Sequence, residues 1–424
     1  MQKIASINAI QVFDSRGVPT ISCKIILEDG TSASAMVPSG ASTGSKEALE
    51  LRDNNTSYQG KSVMNAVNNI NNTLSSIVIG KDPNNQKEID ESLVLFDGTK
   101  DKSKVGANAI LAISLAVANV AAKANKISLY KHFSRVYKDI TDENVSQCMP
   151  LPMFNILNGG EHADNNIDIQ EFMVIPSGAK SFVEVMQWAT EIYHNLKKIL
   201  LKNKYSTAVG DEGGFAPNLD SNEAALKLIV EAIEDSGLTP GKDVDIALDC
   251  AASEFFDGEK YFLKGENKKL SSSELAEYLV ALTEDYPIVS IEDGMDENDM
   301  EGWKFLTEKL GATCQLVGDD LFVTNKKILQ DGINEKIANS ILIKFNQVGS
   351  ITETIQTIHC ANQNSYQSII SHRSGETEDT TISDLAVGLG VSQIKTGAPC
   401  RSDRVAKYNR LLWIEEESNN ILLK

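Results

Sequence analysis

"SILIKFNQ" (residues 340–347) sets an Ile-Leu-Ile core of strand-forming residues directly against a lysine, Lys344. Beside a buried apolar run an ammonium must find anionic partners or lose its proton, because burial penalises the charged form. A lysine held between those outcomes is a candidate base. The same arrangement, an apolar run ending in polar or charged residues and followed by a helical segment, recurs as "FMVIPSG", "VDIALDC", "PIVSIEDG", "QLVGDDL", "SIISHRSGE" and "SQIKTG". Between these runs lie amphipathic stretches such as "SNEAALKLIVEAIEDSG", with Ser221 or Asp220 as N-cap, Leu226, Ile229, Val230 and Ile233 on one face and Gly237 as the stop. The strand-ending residues Asp249, Glu292, Asp319, Lys344, His372 and Lys395 mostly follow one another at roughly 25 to 30 residues, the unit of a β/α barrel, whose chemistry gathers where strands end. An open doubly wound sheet would instead concentrate its ligand groups at one switch point.

Upstream of this alternation the text differs. "IASINAIQVFDSRGVPTISCKIILEDGTSASAMVP" predicts three short antiparallel strands with a turn at "EDG", and from about residue 45 to 135 the pattern is helical. Strands followed by helices indicate an α+β domain. Periodicity is lost in "RVYKDITDENVSQCMPLP", which places the boundary near residue 140 and divides the chain into an α+β domain, 1–140, and an α/β barrel, 141–424. A length of 424 residues suits two domains.

Composition excludes several classes of function. An apolar fraction of 42% and a charged fraction of 23% are those of an ordinary globular protein. The net charge of −19 repels phosphate backbones and argues against direct nucleic-acid binding, so an anionic ligand needs local positive charge. Six cysteines without a C-x-x-C pair, and a start unlike a secretory signal, fit reduced thiols and the cytoplasm. "VGANAILAISLAVANVAAKA" (105–124) is mostly alanine, interrupted by Asn108, Ser114 and Asn119, and reads as a buried core helix rather than a membrane span.

The strand ends carry the chemistry. Asp249, Glu292 with Asp293, and Asp319 with Asp320 form a hard, all-oxygen set that suits Mg²⁺ rather than zinc. Any one of them alone would be an ordinary solvated loop acid, and their weight comes from recurrence in register. A divalent cation and nearby acids would hold Lys344 close to neutrality, the state in which an amine abstracts a proton. Lys395 is placed to neutralise a substrate carboxylate, and "SHRS" offers His372, Arg373 and Ser374 to a phosphate. Local sequence offers Arg373 an alternative, a salt bridge to Glu376 or Glu378. "NGGEHADNN", "DIQEFM" and "AVGDEGGF" add His162, Glu171 and Glu212, and paired carboxyls opposite a lysine suggest an acid/base division in which one carboxyl is kept protonated by its neighbour.

Three other patterns carry less. "GASTG" (40–44) satisfies the G-x-S-x-G nucleophile elbow and makes a serine hydrolase the rival reading, but Pro38 stands where the elbow's strand belongs, and the acids and lysines would go unused. "NTSYQGKS" has Asn55 where a P-loop needs its first glycine, and "GLGVSQ" has Gln393 for the last glycine of a dinucleotide fingerprint.

With these residues in hand the chain resembles the enolase family, in its bacterial type. The resemblance runs over nearly the whole length, through "DSRGVPT", "PSGASTGSKEALELRD", "NGGEHADNNIDIQEFM", "AVGDEGGFAPN", "LDCAASEF", "SIEDG", "VGDDLFVTN", "LIKFNQVGS", "SHRSGETEDT" and "QIKTGAPCRSDRVAKYNRLLWIEE". It implies an N-terminal α+β capping domain with a mobile catalytic loop on a variant (β/α)8 barrel whose first strands and helices depart from strict alternation. The implied activity is that of a glycolytic hydro-lyase, the Mg²⁺-dependent reversible dehydration of 2-phosphoglycerate to phosphoenolpyruvate with two Mg²⁺ per site. By resemblance Asp249, Glu292 and Asp319 hold the first Mg²⁺, and Ser42, in the mobile loop, closes over substrate and helps hold the second. Lys344 corresponds to the base at C2 and Glu212 to the acid at the C3 hydroxyl, with Glu171 beside it; His162, His372, Arg373, Ser374 and Lys395 fall at substrate-binding positions. A Lys or His base working with Mg²⁺ is a known trait of that superfamily. A homodimer or octamer is implied as well, in the cytoplasm; contacts with an RNA-degradation complex or host plasminogen, and a surface or secreted fraction, are not derivable from the residues. One departure is visible: Val18 replaces the usual asparagine of "DSRGNPT", with an expected cost to local stability rather than activity. A racemase, a cycloisomerase or a non-catalytic scaffold of the same fold are the alternatives within the resemblance.

Overall fold

The computed structural model describes residues 2–40, 44–418 and 421–423. Ser42 therefore lies outside the described residues, as does the centre of "GASTG".

Strands β1 (Ile4–Phe13), β2 (Pro19–Leu27) and β3 (Ser32–Met36) form an antiparallel meander. The β1–β2 turn is held by one carboxylate: Asp14 Oδ1 accepts from both Arg16 N and Val18 N, while Gly17 takes the left-handed φ of 72°. Val18 itself needs no left-handed backbone, which is why a β-branched residue is accommodated there. Helices Gln86–Asp97, Ala107–Ala124 and Leu129–Thr141 complete this part. Ala107–Ala124 packs on β2 and β3 with nearly every side chain buried, and its run of alanines lets the sheet and neighbouring helices approach closely. It is the core helix expected from the sequence.

Eight strands close the barrel: β4 (Leu151–Asn158), β5 (Glu171–Ile175), β6 (Asp245–Asp249), β9 (Ile288–Glu292), β10 (Gln315–Gly318), β11 (Ser340–Ile343), β12 (Gln367–Ser371) and β13 (Gln393–Lys395). A two-stranded ribbon, β7 (Tyr261–Leu263) with β8 (Lys268–Leu270), is inserted between β6 and β9. The alternation predicts seven of the eight strands. It passes over β4, whose Pro150 and Pro152 read as a loop; Pro152 lies on the part of β4 outside the β5 ladder, which begins at Phe154. Helix Asn222–Asp235 is capped by Ser221, whose side chain accepts from Ala224 N.

One strand runs backwards. β5 is antiparallel to both β4 and β6, whereas the other barrel pairs are parallel. Its first residue, Glu171, therefore lies at the barrel end where the other strands finish, opposite Asn158 on β4 and Asp249 on β6. Asp249 in turn pairs Glu292, and Ser371 pairs Lys395. Below this polar ring Met153, Met173, Ala247, Val317, Leu342 and Ile369 fill the interior. The barrel is a packed core with one reactive end.

The N-terminal part closes over that end. Ser39 and Gly375 exchange two backbone hydrogen bonds, an approach that only glycine permits, since a Cβ on Gly375 would meet Asp14 Oδ2 at 2.3 Å. Ala48 N donates to Gln347 O, and the Ser45 hydroxyl donates to Glu297.

Candidate active site

Lys395, the last residue of β13, is buried with three carboxylates: its Nζ lies 2.9 Å from Asp249 Oδ2, 2.8 Å from Glu292 Oε2 and 3.3 Å from Glu171 Oε1. Burial works against its charge, but Asp249, Glu171 and Glu292 outweigh it and hold the ammonium on well above the ordinary lysine range. Its charge is already committed to protein acids.

Lys344 directly follows β11, at the cap of the short helix Phe345–Val348, and its Nζ pairs with Asp319. Burial lowers its pKa, the Asp319 carboxylate raises it, and Arg373 and Lys395 push it down again; the net direction is upward. The near-neutral amine expected from the sequence depends on a divalent cation beside it; with Asp319 as its partner the direction is upward. Asp319 is held below the usual carboxylate range, burial being outweighed by Lys344, and its Oδ1 accepts from Gln347 Nε2 at 2.8 Å.

Two acid-rich groups stand apart around this cavity. Single oxygens of Asp293, Asp319 and Asp320 come within 4.8 Å of one another, as do the ligand atoms of His162, Glu171 and Glu212. Asp249, Glu292 and Asp319, the trio expected to share an ion, do not form the tightest set: Lys395 draws the first two together and Lys344 takes the third. Asp293 serves the turn after β10, its Oδ1 accepting from Asp319 N and its Oδ2 from Asp320 N, both at 2.9 Å.

Cation chemistry fits this side. Asp249, Glu292, Asp293 and Asp319 are buried, and their donors are all carboxylate oxygens, the set preferred by a hard divalent cation. Burial and mutual repulsion push Glu292 and Asp293 well above the usual range and Asp320 up to about 7.

On the opposite side Glu212 sits in the "GDEGGF" turn, where Gly213 has φ 92° and a Cβ on Gly214 would meet Asn158 Oδ1 at 2.5 Å. Glu212 Oε2 accepts from Asn155 Nδ2 at 3.0 Å and stands 3.2 Å from His372 Nε2, an ion-pair distance without hydrogen-bond alignment. His162 Nδ1 lies 3.4 Å from Glu171 Oε1 and 3.9 Å from Glu212 Oε1. Burial pushes both carboxyls up. For Glu171 the nearby Glu212 adds to this and the pKa reaches about 7, whereas for Glu212 the two histidines and Arg404 reverse it and the group falls well below the ordinary range. The two carboxyls are thus pushed in opposite directions and titrate as a pair, to which the acid's part expected of Glu212 belongs.

Arg373 does not pair with Glu376 or Glu378. Its guanidinium grips Glu47 at 2.9 and 3.2 Å, while Glu376 accepts from the Arg373 backbone amide and pairs with Lys407 at 2.9 Å. Ser374 is adjacent, with its hydroxyl 3.4 Å from Arg16 Nη1. Glu47, Gln347, Asn155 and Arg404 were not singled out by sequence reasoning. Glu47 lies within the "GSKEALELRD" stretch, yet only the closure of the N-terminal part over the barrel brings it to Arg373.

Comparison with known families agrees with this architecture. The family model described as "Enolase, C-terminal TIM barrel domain" matches residues 146–421, and "Enolase, N-terminal domain" matches residues 4–133.

Proposed function

Since the chain belongs to the enolase family, we propose that it is a divalent-metal-dependent hydro-lyase that dehydrates 2-phosphoglycerate reversibly to phosphoenolpyruvate. The observation that carries this reading is the opposition, across one buried cavity, of a lysine among carboxylates and a Glu–Glu pair between two histidines.

Asp249, Glu292 and Asp319 would hold one cation, with Ser42 contributing to a second. The bound metal would supply positive charge to the substrate carboxylate, where a second negative charge develops as the C2 proton leaves. Lys344 takes that proton. It is a base only when its own proton is off, and Asp319 is the group that holds it on, so any demand on Asp319's charge frees the amine; Arg373 and Lys395 already push in that direction. The C2–H electron pair is first delocalised into the substrate carboxylate and then forms the C2=C3 double bond as the C3–O bond breaks. The Glu171–Glu212 pair supplies the proton with which the hydroxyl leaves as water. His372, Arg373 and Ser374 are assigned to the phosphate, Arg373 being oriented by Glu47. Lys395 fixes the acids of β5, β6 and β9 at one level while adding positive charge beside the carboxylate site.

Purified protein with Mg²⁺ and 2-phosphoglycerate is expected to show the rising ultraviolet absorbance of phosphoenolpyruvate. Chelation should stop the rise and added Mg²⁺ restore it. Absence of conversion at every metal concentration would overturn the reading and favour a non-catalytic scaffold of the same fold.

A further inference from the structure

Arg404 lies in helix Ser402–Glu417 and is fully buried, yet it belongs to no part of the reaction described so far. It has one close acid, Asp403, 2.9 Å from Nε. The rest of its fork is spent on the loops that carry the acid/base side of the cavity. Nη1 donates to Arg373 O at 2.5 Å and lies 2.6 Å from His372 Nδ1; Nη2 donates to Ser374 O at 2.6 Å and to Asp211 O at 3.3 Å. The side-chain stem lies against Gly397, where a Cβ would come within 2.9 Å of both Arg404 Cδ and Glu212 O.

A guanidinium has only donors and does not lose its proton in a protein. The contact to His372 Nδ1 therefore requires a lone pair on that nitrogen. A neutral imidazole with an unprotonated Nδ1 carries its single proton on Nε2, and Nε2 is the atom facing Glu212 Oε2 at 3.2 Å. Adding a proton at Nδ1 would set N–H against N–H between two buried side chains. We infer that Arg404 is a positioning residue, which fixes His372 as the Nε2–H tautomer and so keeps the ring's proton on the nitrogen nearest Glu212, 3.2 Å away, while tying the Glu212 loop to the His372–Ser374 loop. His372 then presents a proton and not a lone pair to this side of the cavity. The functional consequence rests on the proposed dehydration; the tautomer does not.

The test uses the full chain labelled with ¹⁵N-histidine and long-range proton–nitrogen correlation, with His372 identified by the signals lost in His372→Asn. In the unsubstituted protein at neutral pH, Nδ1 is expected in the unprotonated, pyridine-like range and Nε2 in the protonated, pyrrole-like range. A proton on Nδ1, alone or with Nε2, overturns the inference. In Arg404→Met the Nε2–H preference should be lost, and kcat should fall about 10- to 100-fold, as for other supporting residues, with little change in KM. An unchanged tautomer in that variant also overturns it. If Arg404→Met does not fold, the spectrum of the unsubstituted protein still decides. An unsubstituted protein that shows the Nε2–H tautomer but does not turn over 2-phosphoglycerate would sink the proposed reaction and leave the role of Arg404 standing.

Discussion

The two acid-rich groups at the barrel mouth differ by one kind of atom, and that atom divides their chemistry. Asp293, Asp319 and Asp320 offer oxygen alone and meet a lysine whose pKa Asp319 pushes upward; His162, Glu171 and Glu212 mix nitrogen with oxygen around a coupled pair of carboxyls. In the proposed reaction the first group lies on the side that would hold a metal, through Asp319, and the second on the side that would supply a proton. Similar acids, all buried but the half-buried Asp320, are thus set apart by their neighbours.

The largest expected effect of breaking this division is in Lys344→Ala, which removes the proposed base. Turnover of 2-phosphoglycerate is expected to fall by about 10⁴-fold, the upper range for general-base catalysis, in a steady-state assay at saturating Mg²⁺. A loss under tenfold would move the base elsewhere.

Next comes Asp293→Asn, which replaces one acceptor of a backbone amide by a donor and loosens the turn that aims Asp319. Mg²⁺ affinity, read by calorimetry without substrate, should weaken about 10- to 100-fold, as for other groups that orient a metal ligand. Glu171→Gln, on the histidine side, should leave it much less changed. Equal weakening in both would erase the distinction between the two groups.

The smallest effect concerns a histidine that belongs to neither group. His132 is buried in helix Leu129–Thr141 with both ring nitrogens lacking a hydrogen-bond partner, and burial, aided by Arg135, lowers its pKa to about 4. Between about 4 and the unfolded value near 6.5 the unfolded chain binds more protons than the folded one. Stability tied to His132 is therefore complete above that window and is lost as pH falls through it, by up to about 3 kcal/mol. His132→Leu is expected to flatten this part of a plot of unfolding free energy against pH, measured by urea titration. An unchanged slope would mean that His132 is protonated or solvated in the fold.

What sequence could and could not reveal follows the range of each interaction. Strand ends such as Asp249, Glu292 and Lys395 were legible because alternation puts apolar runs and polar endings in register, and the register then sets them side by side. β4 was missed since its prolines imitate a loop, and the reversal of β5 leaves no trace in periodicity; only the family resemblance implied irregular first strands. Partnerships were the least legible. Glu47 with Arg373 spans 326 positions and Arg404 with His372 spans 32, so neither has a local signature. Charge balance is equally non-local: the two carboxyls of the Glu171–Glu212 pair are pushed in opposite directions because Glu212 faces His372 and Arg404.

The division between the two sides is tested most directly by exchange of the C2 hydrogen of 2-phosphoglycerate with deuterated solvent, followed by NMR in the presence of Mg²⁺. Glu212→Gln is expected to keep measurable exchange while forming no phosphoenolpyruvate, and Lys344→Ala to lose both. Exchange that disappears equally in the two variants would contradict the account.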